Sequence, residues 1–157
     1  MYNLAYRTLG RADDAADATQ DVFVTCLRKL AGFRGSSAFT TWLHRVTINT
    51  CYDALRRRKR EQPAHDEEPL EPPPADDPAD AADTAVDVQR ALQLVPEEFR
   101  IVLILHDVQG VPYEEIAEAI GAPLGTVKSR LHRGRVALAR ALRGEHRTGS
   151  RSSKETS

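Results

Sequence analysis

The 157-residue sequence predicts an all-α protein, two small helical domains joined by a flexible, acidic, proline-rich linker. Apolar residues recur at helical spacing on both sides of the chain's middle, and no segment alternates apolar and polar residues as a half-buried strand would. The middle itself, EQPAHDEEPLEPPPADDPADAADTA at 61–85, holds nine acids, six prolines and no lysine or arginine. With no aromatic and almost no aliphatic residue to bury, it is expected to stay extended between folded units. The chain thus divides into domains at 1–60 and 86–143, a disordered linker at 61–85 and a disordered tail at 144–157.

A formal net charge of −1 conceals blocks of opposite sign. Residues 1–60 carry 11 Lys and Arg against 5 Asp and Glu, while 86–143 carry 8 against 7. Two basic-to-neutral domains therefore flank an acidic bridge that spans at most roughly 80 Å. Cys26 and Cys51 lie far apart without a CxxC spacing or a nearby histidine pair, which argues against a metal site or a disulfide framework and fits a reduced cytoplasm. No run approaches the ~20 apolar residues of a membrane span, and MYNLAYRTLGR lacks signal-peptide architecture, so neither membrane insertion nor secretion is expected. No catalytic triad, phosphate loop or metal cluster points to an enzyme or a cofactor.

In chain order, a first helix is expected over about 2–9, ending at Gly10. The acidic DDAAD suits the start of a second, which runs to about Ala31 before Gly32 and Gly35. A third starts near Ser36 or Ser37 as caps and runs to about Lys59. Beyond the linker, helices are expected at 84–95 and 97–107 around Pro96, at 112–120 with Pro112 in the first turn, and at 123–143.

Three surfaces stand out. On the second helix Thr19, Phe23, Cys26, Leu27 and Leu30 form the expected buried stripe, and Asp17, Gln20, Asp21, Val24 and Arg28 the other side. Those acids are either plain solvated helix or a protein docking site. On the third helix one inward stripe of Phe39, Leu43, Val46, Thr50 and Ala54 and a second ridge of Ile48, Tyr52 and Leu55 imply a helix clamped between neighbours. Arg45, Asn49, Asp53 and Arg56 form a polar strip, and the terminal RRRKR is more basic than helix-dipole compensation requires.

The third surface follows from EEIAEAIGAPLGTVKSRL, a short helix, a glycine turn and a second helix, the layout of a helix-turn-helix. At 100° per residue Val127, Leu131, Gly134 and Leu138 share one inward face. The opposite face carries Gly125, Lys128, Ser129, His132, Arg133 and Val136, with Thr126 and Arg130 on its flanks. Small, cationic and hydrogen-bonding groups there match a helix laid in a DNA major groove; a solvated charged face is the alternative.

DATQDVF at 17–23, FRGSSAFTTWLHRVTINTCYDALRRR at 33–58, VPEEFRIVLILHDVQGVPYEEIAEAIG and GTVKSRLHRGR at 125–135 together resemble the group 4, or extracytoplasmic-function, sigma factors of bacterial RNA polymerase. The resemblance covers nearly everything but the linker and tail. It implies a region 2-like first domain and a region 4-like second domain, acting in the bacterial cytoplasm. Asp17, Gln20 and Asp21 become candidates for docking on core RNA polymerase, at the β′ clamp, with β as a further partner and Phe23 internal. Ser36, Ser37, Ala38, Phe39, Trp42, Arg45, Asn49 and Arg56 become candidates for opening the minus-10 element, with RRRKR as backbone electrostatics. Lys128, Ser129, His132 and Arg133 would read the minus-35 element, with Thr126 and Arg130 nearer phosphate. Members carry a longer first helix, of which this chain holds the last part, and are commonly held by an anti-sigma factor, for which the Ile48, Tyr52 and Leu55 ridge offers a surface. Competing readings are a stand-alone helix-turn-helix regulator and an inactive sigma-like decoy for an anti-sigma factor.

Overall fold

The computed structural model describes residues 1–61 and 79–144, the side chains of 79–83 excepted. Linker residues 62–78 and the tail from 145 lie outside the described residues. The helices are α1 Tyr2–Leu9, α2 Ala12–Lys29 with a 3-10 turn at Leu30–Gly32, α3 Phe39–Glu61, α4 Ala79–Leu94, α5 Glu97–Leu103 widening into a π-helical turn at Ile104–Val108, α6 Tyr113–Ile120 and α7 Leu124–Leu142. No strand occurs among the described residues, in keeping with the all-α expectation.

Most boundaries follow the local chemistry, with small shifts. Pro112 and Pro123 stand one residue ahead of the first turn, in extended backbone, and their carbonyls accept the first bonds of α6 and α7. Helix α3 starts at Phe39 because the Trp42 N–H donates to Ala38 O at 3.0 Å, leaving Ser36 and Ser37 in the preceding bend. Helix α4 begins at Ala79, five residues before the periodicity predicts.

Two apolar clusters organise the chain. In the smaller, Ala5, Tyr6 and Leu9 of α1 meet Ala15 and Ala18 of α2 and Cys51 and Leu55 of α3. This corrects the expected stripe of α2. Ala15, Ala18 and Val22 are buried, whereas Phe23, Leu27 and Leu30 are 54%, 78% and 50% exposed. The inward face is therefore turned by about a quarter revolution toward small residues, which let helix axes approach closely.

Helix α3 is corrected more gently. Its two expected ridges flank one broad buried face whose centre is Thr47 and Cys51, both 1% exposed. The Thr47 hydroxyl donates to Leu43 O at 2.9 Å, so a polar residue sits in the core without an unmet bond. Burial pushes the Cys51 thiol up to about 12, and it packs as a small apolar group. Phe39, expected inward, is 46% exposed.

The larger cluster joins the two domains. Leu92, the run Ile101 to Leu105, Val111, Ile116, Ala119, Val127 and Leu131 pack with Leu4 of α1 and Ile48 of α3. Burying Leu4 and Ile48 in this way is worth about 1.5–3 kcal/mol each.

Polar groups lock the same junction. The last four carbonyls of a helix have no partner within it. For α1, Tyr6 O accepts from the Gly10 N–H at 2.8 Å and from Gln89 Nε2 at 3.0 Å. Arg7 O accepts from Gln93 Nε2 at 2.9 Å, Thr8 O from Arg100 Nη1 at 2.5 Å, and Leu9 O from Arg58 Nη1 at 3.0 Å. Arg100 also donates to Gln93 Oε1, Gln93 O and Val95 O. Desolvation pulls its guanidinium down to about 10, so it stays a cation at neutral pH, facing the negative end of the α1 dipole. Gly10 is required twice over. Its φ is +80°, and a Cβ there would lie 2.6 Å from Gln93 Cδ.

A second clamp holds α7. Arg135 Nε and Nη2 donate to the two Asp107 oxygens at 2.8 and 2.6 Å, and Asp107 Oδ1 lies 2.7 Å from His106 Nδ1. Gly134 permits the close approach beneath it, because a Cβ there would stand 3.1 Å from Phe99 O.

Arg100→Leu is expected to cost about 3 kcal/mol, since it strips buried carbonyls of their donors. The exposed Arg57→Leu should stay within about 0.5 kcal/mol. Urea unfolding monitored by circular dichroism compares them, and equal midpoints would rule out the locking role. The hydrogen bonds from Arg135 hold the Asp107 carboxyl down at about 2, below its ordinary 3.8. A depressed carboxylate stabilises the fold fully above about pH 4 and loses that contribution as pH falls toward 2. Asp107→Asn should therefore melt below the wild type at pH 7, with the gap closing between pH 4 and 2; a constant gap would exclude this clamp as its source.

Candidate nucleic-acid interface

The turn between α2 and α3 builds an aromatic corner. Phe33, Phe39 and Trp42 have ring centroids 5.4 to 6.0 Å apart, with the Phe33 and Phe39 rings edge to face. Such packing favours a fixed geometry over a loose loop. Beside it opens a groove of about 570 Å³ lined by Arg28, Lys29, Gly32, Phe33, Arg34, Ser36 and Trp42. Ser36, Ala38 and Phe39 are exposed, while Ser37 and Trp42 are half-buried. Cations and ring edges around an open groove can hold a flexible single strand, the cations along phosphates and the rings against bases. Sequence reasoning did not single out Arg28, Lys29, Phe33 and Arg34 as groove residues. The signal available was the GFRGSS run at 32–37 shortly after Lys29, whose two glycines bring both arms of the turn to one groove.

Along α3 the predicted polar strip is only partly free. Asn49 and Arg56 are exposed, and Arg56 pairs with Asp53 three residues back. Arg45 is half-buried, and its Nη2 donates at 2.7 Å to Glu118 O at the end of α6, in the other domain. The terminal cations divide likewise. Arg58 reaches Leu9 O and Asp14, Lys59 lies 3.0 Å from Glu97 Oε1, and Arg57 and Arg60 are exposed.

The ridge offered to an anti-sigma factor is corrected. Ile48 and Leu55 are 1% and 5% exposed, Ile48 and Tyr52 against the second domain's cluster and Leu55 within the first domain's. Asp17, Gln20 and Asp21, by contrast, line an exposed face of α2, beside Val24 at 45% exposure. Phe23, expected to be internal, is exposed on the same helix.

The helix-turn-helix is α6, the left-handed Gly121 and α7. Val127, Leu131 and Gly134 are buried and Leu138 packs against the cluster, so the inward face is as read. Lys128, Ser129, His132 and Arg133 are exposed together, and Thr126 and Arg130 are half-buried on the flanks. Lys128 Nζ lies 5.8 Å from the Tyr113 ring centroid, Arg133 Cζ 5.8 Å from that of Phe99, and Arg130 Nη2 3.6 Å from Glu98 Oε2. The groove beside α3 and the outer face of α7 are thus two separate cationic surfaces on one chain. Among the described residues no helix is long and apolar enough to cross a membrane, and no group of three or more His, Cys, Asp or Glu is placed to hold a metal.

Comparison with known proteins agrees with this division. The model of Sigma-70 region 2 matches residues 1–61, and that of Sigma-70 region 4 matches residues 85–138. The chain is 40% identical over 143 residues to the ECF RNA polymerase sigma factor SigE of Mycolicibacterium smegmatis, covering 88% of this chain and 55% of that one. It is 41% identical to SigM of Mycobacterium tuberculosis, covering 90% and 71%. It thus spans about half of SigE and seven tenths of SigM. Its fold matches the sigma factor RpoE of Bartonella quintana, solved in complex with the anti-sigma factor NepR, with a TM-score of 0.76, 27% identity and coverage of 92% and 91%. Both sigma regions, in order and on one fold, place the chain in the family of extracytoplasmic-function (ECF) RNA polymerase sigma factors.

Proposed function

We propose that the protein joins core RNA polymerase and directs initiation at promoters with two elements, its first domain opening the minus-10 element and α7 reading the minus-35 element as duplex. The observation that carries this is the pairing, on one chain, of an aromatic and cationic groove suited to single strands with an exposed recognition-helix face suited to a major groove. In this scheme Asp17, Gln20 and Asp21 dock on the polymerase clamp. Ser36, Ser37, Ala38, Phe39 and Trp42 hold the displaced strand with Asn49, Arg45 and Arg56. Lys128, Ser129, His132 and Arg133 meet base edges, and Thr126 and Arg130 meet phosphates. The chain supplies recognition and no catalysis, works in the bacterial cytoplasm and is held in check by an anti-sigma factor, as RpoE is bound by NepR. With the domains closed, that partner must grip a surface other than Ile48 and Leu55, which are already covered.

Promoter engagement also demands a change of shape. A compact body of this size is roughly 36 Å across, the length of about 11 base pairs. Elements farther apart than that are reached together only if the domains separate, and Arg45 then exchanges Glu118 O for a phosphate.

Transcription from candidate promoters with purified core polymerase tests the proposal, and no binding to core at low salt would sink it. Tight duplex binding without polymerase would instead favour a stand-alone regulator. Asn49→Ala should slow strand opening, read with a fluorescent base at minus-10, and leave duplex capture within about twofold, because its side chain meets only the displaced strand. Lys128→Ala or Arg133→Ala should weaken minus-35 recognition by roughly tenfold or more for each bidentate pair removed, read by competition between promoter duplexes.

A further inference from the structure

The four cations of α7 between 128 and 135 fall into two kinds. Arg130 and Arg135 face carboxylates, Glu98 at 3.6 Å and Asp107 at 2.6 and 2.8 Å. Lys128 and Arg133 lie over aromatic rings instead, each 5.8 Å from the centroid of Tyr113 and of Phe99. The difference has a chemical consequence. A carboxylate takes up N–H donors, and Arg135 commits two of its five to Asp107. A ring attracts the cation through its π face and takes up no N–H, so the donors stay available while the side chain is held.

Both rings are themselves fixed. Tyr113 packs against the larger apolar cluster, and its ring stacks on His106 at 4.5 Å and 9°. The imidazole is oriented in turn by Asp107, which Arg135 holds. Phe99 is half-buried on α5, and its backbone carbonyl is the atom Gly134 approaches. The two seats stand on opposite flanks of the exposed face, Tyr113 at the start of α6 and Phe99 on α5.

We infer that Tyr113 and Phe99 are positioning residues for DNA reading, aromatic seats that fix Lys128 and Arg133 with their donors free for base edges, whereas Arg130 and Arg135 serve the scaffold and the phosphates. This rests on the sigma-factor reading above. It assigns specificity to two residues that touch no base, of which Tyr113 would read as core from its apolar packing alone.

The test uses the full chain bound to a bacterial core RNA polymerase and a duplex library randomised across the minus-35 element, sequenced before and after capture. Tyr113→Leu and Phe99→Leu keep apolar volume and remove the ring; Tyr113→Phe and Phe99→Tyr keep it. Tyr113→Leu should reduce base preference about two- to fivefold at the positions Lys128→Ala affects. Phe99→Leu should do so at the different positions affected by Arg133→Ala. The ring-keeping variants should retain the wild-type preferences, and Tyr113→Leu with Lys128→Ala should be no worse than Lys128→Ala alone. Arg130→Ala should lower capture evenly across sequences. An even loss from Tyr113→Leu or Phe99→Leu, or additive losses in the double variant, would overturn the inference while leaving the sigma reading intact. A wild-type chain that enriches no sequence would overturn both. A ring-removed variant whose melting temperature falls with no change in preference would mark that ring as packing alone and overturn its role as a seat.

Discussion

The carboxyl end of α1 constrains everything else. A helix that stops inside a protein must satisfy its last carbonyls with donors from elsewhere. Here Gln89, Gln93 and Arg100 come from the second domain and Arg58 from α3. Once those bonds exist, α1 is fixed against α4 and α5, Leu4 enters the larger cluster, and α3 lies close enough to place Ile48 beside it. Gly10 follows from the same geometry, because Gln93 occupies the space any side chain there would need. The clamp adjoins both proposed DNA faces, with Arg100 next to Phe99 and Arg58 two residues from Arg56, and it decides how those faces are presented to each other.

Charge is deployed by the same logic throughout. Arg100 is 6% exposed, and its cation is tolerable because carbonyls surround it and the α1 dipole favours it. Arg58 and Lys59, which by sequence belong to one basic block, are drawn into contacts with Leu9 O, Asp14 and Glu97. Arg57 and Arg60 remain exposed. A run of five cations thus divides into some that hold the fold and some free to meet a backbone, by which face of α3 each occupies. The split seen on α7 is the same sorting at a recognition helix.

What the sequence disclosed depended on whether burial was local. Helix α7 was legible because its neighbours, α4, α5 and α6, all belong to its own domain, so the apolar face of one helix stated its own packing. Helix α2 was misread because hydropathy favours Phe23, Leu27 and Leu30, while the packing with α1 selects Ala15, Ala18 and Val22 by size. On α3 the centre of the buried face is Thr47 and Cys51, smaller than the Leu43, Val46, Ile48 and Leu55 that mark the ridges beside them; the 2.9 Å bond to Leu43 O explains a threonine there. The junction between the domains was the least legible. An arginine at 100 reads as surface, and nothing nearby in sequence announces that Thr8 O lies 2.5 Å away.

The fold and the proposed function therefore pull against each other in a defined way. The closed form buries Leu4 and Ile48 between domains, satisfies the α1 carbonyls with second-domain side chains and ties Arg45 to Glu118. Separation exposes two aliphatic side chains, at about 1.5–3 kcal/mol each, besides returning the donors of four side chains, Gln89, Gln93, Arg100 and Arg45, to water. A partner shifts such an equilibrium only by as much as it prefers the open form. Each 1.4 kcal/mol of closure weakens the apparent affinity of an open-selective partner about tenfold. On the proposed function, polymerase and promoter gain from separated domains and must exceed that difference together. On the same proposal an anti-sigma factor has the opposite task, and a ligand that merely reinforces the closed form needs little binding energy of its own to keep the two proposed DNA faces apart from their elements.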